Sequence, residues 1–200
     1  MLISPYCKET AQDFVASQTA EQAYNMLLAS SDAWIFRDEK IGTNSQSGFD
    51  RLRVFFASKL DIDPANIGMV GSAKIGFSLA PHKDFSPFTE RSDIDLVIVS
   101  ADLFKKHWDA LLEIASNKHL RGYEFYAKSI FRGFVTIRKE TPDHHYLDEW
   151  RKFAGPIGRD FELEFGLTNE ITYRVYRSWE DVRRYHVDGI NKLQNRMGGQ

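Results

Sequence analysis

The residues best placed to do chemistry lie between Val70 and Ser100. Ser92-Asp93-Ile94-Asp95-Leu96 opens an apolar, β-branched run, and the strand period of two turns Asp93 and Asp95 to the same face. Two unpaired carboxylates a few ångströms apart repel each other, and burying them is costly, so a fold that keeps both needs a cation between them or a raised pKa. Oxygen ligands of this kind suit Mg²⁺ or Mn²⁺, which keep several waters and complete their shell with substrate phosphates. A nucleoside triphosphate fits that description. Gly71-Ser72, at the end of the preceding apolar run, supplies the complementary half. A glycine lets the backbone approach a phosphate, and the amides after it and the Ser72 hydroxyl donate to its oxygens. Gly76 permits a second close approach, and Lys74, Lys83 or Arg91 can contact the same anion.

The pattern Gly71-Ser72, Gly76, Ser92-Asp93-Ile94-Asp95-Leu96 resembles the signature of the DNA polymerase β-type nucleotidyltransferase superfamily. The resemblance covers about thirty of 200 residues. It implies transfer of a nucleoside monophosphate from a triphosphate to a hydroxyl, with release of pyrophosphate. It also implies two metal ions held mainly by Asp93 and Asp95, and a nucleotide held by Gly71, Ser72, Lys74, Gly76 and Ser92. The acceptor is left open among RNA, protein and small molecule. Two departures matter. Ser72 and Asp93 stand 21 positions apart, longer than the family's usual spacing, which reads as a loop inserted at Ala80 to Glu90 over the site. The family's third carboxylate, which activates the attacking hydroxyl from a later strand, has no obvious aspartate here. Glu162 and Glu164 are the candidates, because alternation with Phe161, Leu163 and Phe165 turns both to one face of an expected strand. If neither serves, the alternative is a catalytically weak nucleotide sensor or partner subunit in a bacterial stress or phage-defence module.

These residues need an α/β (α+β) framework, a short mixed sheet backed by helices. Strands are expected at Ile67–Val70, Ile94–Val99, Phe161–Phe165 and Ile171–Tyr176, with Phe134–Ile137 either strand or helix. Apolar residues at helical spacing predict two helical pieces from Glu9 to Ser30 with Thr19 as a cap. The same signal predicts helices over Phe49–Leu60, Asp102–Lys118, Gly122 onward and Trp179–Asn195. Asp38 to Ser47 reads as a loop, and Asp61 to Asn66 as a turn whose Asp-x-Asp has a capping role. No repeat or long linker interrupts the chain. The expectation is one domain over 1–200, with N-terminal helices over 1–66, a catalytic core over 67–176 and a closing helix over 178–195.

Lys and Arg total 26 against 28 for Asp and Glu, a formal net charge of −2. That excludes wholesale electrostatic coating of nucleic acid or an anionic membrane. No apolar run has the length to span a bilayer, and Met1 to Glu9 lacks a signal-peptide pattern, so the chain reads as soluble and cytoplasmic. The single cysteine, Cys7, excludes an internal disulfide and a cysteine zinc site. His144, His145, Asp148 and Glu149 have metal-ligand spacing, but no clear third ligand, and read instead as an exposed helix start after Thr141-Pro142. Lys118, Arg121, Lys128, Arg132, Arg138 and Lys139, interleaved with aromatic residues, read either as a groove for an RNA or DNA strand or as a solvated face over an aromatic core. Trp34, Trp108, Trp150 and Trp179 are expected in the core. With little room for an acceptor domain of its own, the chain is expected to draw acceptor contacts from the inserted loop, the basic stretch or a partner protein.

Overall fold

The computed structural model describes residues 7–37, 45–117 and 119–199. Helices α1 (Lys8–Ser17), α2 (Ala20–Leu27) and α3 (Ser45–Leu60) lead into strand β1 (Ile67–Val70) and the single turn α4 (Ser72–Ile75). Then come β2 (Ile94–Val99), α5 (Ala101–Asn117), α6 (Tyr123–Phe131), β3 (Phe134–Val135), α7 (His145–Phe165), β4 (Ile171–Tyr176) and α8 (Trp179–Gly198). The mixed α/β expectation holds. The strands form one sheet in the order β1-β2-β4-β3, with β2 and β4 parallel and the outer pairs antiparallel.

Period-two alternation divides the sheet between two apolar layers. Ile94, Leu96 and Ile98 join Ile67, Met69 and Val175 on the face covered by α3, α5 and α7. Val97, Val99, Val70 and Tyr176 join the face covered by α1, α2 and α8. Asp95 shares the second face, and so do Thr172 and Arg174, which alternate with Tyr173 and Val175 along β4.

The caps explain where several helices begin. Thr19 and Gln22 form a capping box at α2, with Gln22 N donating to Thr19 Oγ1 over 3.2 Å and Thr19 N to Gln22 Oε1 over 3.0 Å. Ser178 caps α8 by accepting from Asp181 N at 3.2 Å. Asp63 accepts from Ala65 N at 2.7 Å, so the Asp61-Ile62-Asp63 turn has the capping role expected of it. α8 is tied to the first two helices through Gln194, which donates to the carbonyls of Val15 and Gln18, and through the Arg183–Glu21 pair at 2.6 Å.

Four expectations are corrected or narrowed. Phe161–Phe165 is the last part of helix α7, not a strand. Ile157, Phe161 and Phe165, at i, i+4 and i+8, are all buried, while Leu163 is 81% exposed, so the helical period outweighs the alternation. Second, α3 starts at Ser45, so the expected loop at 38–47 is helical in its last three residues, and 38–44 lie outside the described residues. Third, Phe134–Val135 is a strand of two residues, which decides the ambiguous segment. Fourth, of the four tryptophans Trp150 is buried, whereas Trp108 and Trp179 are each 39% exposed. Met1–Tyr6 and Lys118 lie outside the described residues. Among those described, no helix is long and apolar enough to cross a membrane.

Candidate nucleotide-binding cleft

β1 ends at Val70, directly opposite Asp95 on β2, so the chain leaves the sheet beside that carboxylate. Gly71 makes the exit at φ 74° and ψ −164°, a region essentially restricted to glycine. A Cβ at this position would collide with Asp95 Oδ2 and lie 3.3 Å from its Cγ. Glycine is therefore required at position 71 for both its dihedrals and its space. Ser72 follows as the first residue of α4, and the Gly-Ser step and the second aspartate stand side by side, as the spacing predicts.

Asp95 is held from β4. In the parallel register Thr172 is its direct neighbour, and Arg174 lies two residues further along the same face. Thr172 Oγ1 donates to Asp95 Oδ1 at 3.0 Å, and Arg174 Nη2 donates to the same oxygen at 3.2 Å. The carboxylate and the guanidinium side chain are 25% and 27% exposed. Arg174 is further flanked by the rings of Phe134 and Tyr185, at 5.9 and 5.8 Å. Burial works to lower its pKa, but Asp95, Tyr176 and Tyr185 together raise it above the usual arginine value, and the charge is permanent.

Asp93 is exposed just before β2. Its carboxyl pKa is raised, first by burial and then by the negative charges of Asp95 and Glu170, with Lys83 and Lys139 pulling the other way. Asp93 stands one residue before β2, outside the strand whose period was expected to set its face, and Asp95 acts on it as a like charge. Asn169 Nδ2 fixes the approach to this position by donating to the carbonyls of Ser92 at 2.9 Å, Thr89 at 3.3 Å and Glu90 at 3.3 Å.

A cleft of about 500 Å³ opens over this face of the sheet. Its floor is Val70, Gly71, Ser72, Asp95 and Arg174, one wall is α8 from Tyr185 to Lys192, and the other is the segment Ser78–Lys83. From Ala80 onward that second wall belongs to the expected insertion. It is tied down: Ser78 N donates to Ser86 O, Phe88 N to Gly76 O, and Phe77 bridges Pro87. Phe85 is buried against Phe77 with ring centroids 6.0 Å apart, and Arg196 of α8 donates to Pro81 O at 2.6 Å. Asp84 and Phe85 take positive φ of 45° and 55° to make the turn. The loop forms a built wall carrying Lys83, anchored in the core by Phe85.

Four basic side chains line the cleft, Lys83, Arg132, Arg174 and Lys192, against the carboxylates of Asp95 and Asp188. Lys192 pairs with Asp188 at 2.6 Å, as Arg174 pairs with Asp95. Arg132 lies over the Tyr185 ring at 5.7 Å, and among the described residues neither Arg132 nor Lys83 has a carboxylate within ion-pair distance. His186, also on the wall, has its pKa pushed down to about 3 by burial and by Arg174, so it stays neutral.

The residues present do not fit a two-ion centre. The neighbouring strand directs Thr172 and Arg174 toward Asp95, whose Oδ1 is already bonded to both a hydroxyl and a guanidinium. A divalent ion on that oxygen would displace the guanidinium and meet its like charge.

The other expected site residues are placed as follows. Lys74 is fully buried and reaches away from the cleft, donating to Ser30 O at 2.6 Å and lying 4.1 Å from the Phe49 ring centroid. Burial lowers its pKa to about 8, Arg53 adds to that, and Asp32 opposes it. Gly76 closes α4 at φ 91°, and a Cβ there would meet the Trp34 ring at 2.7 Å, so its dihedral and its packing both call for glycine. Ser92 Oγ accepts from Thr89 N at 3.0 Å, which places it in the loop that carries Asp93. Glu164 pairs with Arg51 of α3 at 2.7 Å, and Glu162 lies on the exposed side of the same α7 turn, so the two have no shared strand face and no bond to Asp93 or Asp95. His144 pairs with Glu113 at 3.1 Å while Asp148 pairs with Arg151 at 2.6 Å, and α7 begins at His145, after Thr141-Pro142 as expected, but with the His144 side chain largely buried rather than exposed. In the basic stretch, Lys128, Arg138 and Lys139 pair with Glu124, Glu140 and Glu170, and Arg132 turns toward the cleft.

Sequence reasoning missed Thr172, Arg174, Asn169 and His186 as site residues. The period of β4 places Thr172 and Arg174 on one face, but which strand that face adjoins depends on the sheet order. Compared with family models, curated proteins and solved structures, the chain matches none of them.

Proposed function

We propose that this protein binds a nucleoside triphosphate, with its polyphosphate lying in the cleft between the Gly71-Ser72 turn, Arg174 and the Lys83 wall. The observation that carries this reading is Gly71. Its φ of 74° and the absence of a Cβ let the backbone lie against Asp95 at the mouth of a cleft large enough for a nucleotide and lined by four basic side chains. The Gly71 turn supplies backbone donors and the Ser72 hydroxyl adds one more. In this reading the chain is a nucleotide sensor or the nucleotide-binding subunit of a larger assembly.

A second reading has one feature in its favour: after burial, the like charge of Asp95 helps to raise the Asp93 carboxyl. It is the metal-dependent transfer of a nucleoside monophosphate to a hydroxyl of RNA, protein or a small molecule, with pyrophosphate released. Because β4 offers Thr172 and Arg174 to Asp95, the binding reading is preferred. Calorimetric titration with each of the four triphosphates, run beside a pyrophosphate-release assay in Mg²⁺ and Mn²⁺, separates them. Saturable binding without pyrophosphate supports the sensor. Pyrophosphate release that is lost in Asp93→Ala/Asp95→Ala supports the transferase, and no binding of any triphosphate refutes both.

A further inference from the structure

We infer that the cleft holds its polyphosphate directly on protein cations, with no divalent ion required, and that Asp95 occupies Arg174 as an internal anion until the ligand displaces it. This rests on the reading of the cleft as a nucleotide site and adds how that site recognises the phosphates.

The argument begins with the charges that line the cavity. Both of its carboxylates are already paired, Asp95 with Arg174 at 3.2 Å and Asp188 with Lys192 at 2.6 Å. Arg132 and Lys83 have no carboxylate within ion-pair distance among the described residues, so the lining of the ligand-free cleft carries a surplus of positive charge. A metal-dependent polyphosphate site presents uncommitted carboxylates, because the ion mediates between two anions. Here Asp93, which has no ion pair among the described residues, stands outside the lining and under the opposing charge of Lys83, and both carboxylates of the lining are paired, so an anion binds to it directly.

The second step concerns Arg174. A guanidinium presents five donors in a rigid planar fork suited to phosphate oxygens, and one of them, on Nη2, goes to Asp95. The rings of Phe134 and Tyr185 at 5.9 and 5.8 Å hold the fork in place, so little side-chain entropy remains to be lost on binding. Arg132 lies over the same Tyr185 ring at 5.7 Å. Two guanidinium groups thus share one aromatic support on the cleft wall. A phosphate that engages Arg174 must compete with the Asp95 oxygen, which is of the same charge and similar geometry. Removing the charge of Asp95 therefore strengthens binding, the opposite of what a metal ligand does.

The test uses the full chain and a fluorescent N-methylanthraniloyl derivative of ATP, titrated in EDTA and again in Mg²⁺, with circular dichroism confirming the fold of each variant. The wild-type chain is expected to bind in EDTA within about threefold of its affinity in Mg²⁺. Asp95→Asn is expected to tighten binding in EDTA by about threefold or more. Arg174→Gln is expected to weaken it by about tenfold, and Arg132→Gln, an exposed position, covers the case in which the Arg174 variant does not fold. Inorganic tripolyphosphate is expected to displace the probe, and adenosine is not. Binding that appears only with Mg²⁺, or that weakens in Asp95→Asn, overturns the inference and leaves the nucleotide reading standing. Displacement by adenosine but not tripolyphosphate also overturns it. No binding in either buffer refutes the nucleotide reading itself.

Discussion

Replacing Gly71 by alanine tests the geometry on which the cleft depends. The backbone at this position has φ 74° and ψ −164°, and holding a non-glycine residue in such a region costs about 1–3 kcal/mol. The new Cβ also runs into Asp95, whose carboxylate must then shift away from Thr172 and Arg174. Hydrogen bonds to a charged group contribute roughly 1.5–3 kcal/mol, and partial exposure of both side chains reduces that share to about 1 kcal/mol. Gly71→Ala should therefore cost about 3 kcal/mol in all. With a urea m-value of about 2 kcal/mol/M, the unfolding midpoint falls by about 1.5 M. In an Asp95→Ala background the collision is gone and only the dihedral cost remains, so the same substitution should cost about 2 kcal/mol. Gly158→Ala is the contrasting control. It sits inside α7 with open space around its missing Cβ, and alanine there should stabilise by about 0.5–1 kcal/mol. Equal costs for Gly71→Ala in the two backgrounds would refute the contact with Asp95. A cost below about 0.5 kcal/mol would refute the conformation of the turn.

Four further expectations follow from named contacts. His107 and His186 have folded pKa values pushed by burial down to about 4 and about 3, with Arg174 adding to the shift of His186. A histidine with a depressed folded pKa stays neutral in the fold and protonates on unfolding, so its stability contribution is complete above about 6.5 and is lost as pH falls toward 4. Each contributes a slope of up to about 1.4 kcal/mol per pH unit in that window. Urea unfolding of His107→Asn from pH 7 to 4 should lose one proton's worth of slope, and an unchanged slope would mean that His107 is charged in the fold. Glu164→Gln breaks an exposed ion pair with Arg51 and should change stability by less than about 1 kcal/mol. It should leave triphosphate binding intact, whereas a tenfold loss would return Glu164 to the site. Ser178→Ala removes the α8 cap and a bond to the buried Asp181, and should cost about 1–2 kcal/mol by thermal or urea unfolding. Gly133→Ala, at φ 80°, would push a Cβ into the Asp181 carboxylate and should cost at least as much, measured in the same way.

Much of the fold can be read from periodicity and caps. The Ile94–Val99 run, bounded by polar turns, is a strand, and the Thr19/Gln22 pair opens a helix where its letters say it should. Both signals are local, and tertiary packing adds to them without opposing them. At Phe161–Phe165 two local signals conflict. The alternating letters fit a strand of five, but the buried set continues back through Ile157 with helical spacing, and a short window does not contain that information. The third-carboxylate reading depended on the strand and fails with it. Lys74 and Gly76 have the residue types of a phosphate site, yet their roles are set by Ser30, Phe49 and Trp34, which are distant in sequence.

The sequence alone determined the Gly-Ser turn, the two strands on either side of it and the place of Asp95 opposite the turn, because these depend on residue types within about thirty positions and on the two-residue strand period. Tertiary structure decided what stands beside Asp95. β4 pairs in parallel with β2 across 77 positions of chain, and only that pairing brings Thr172 and Arg174 to Asp95. The charge of the cleft follows from this register, and a register between distant strands is fixed by the burial of whole faces rather than by any local pattern.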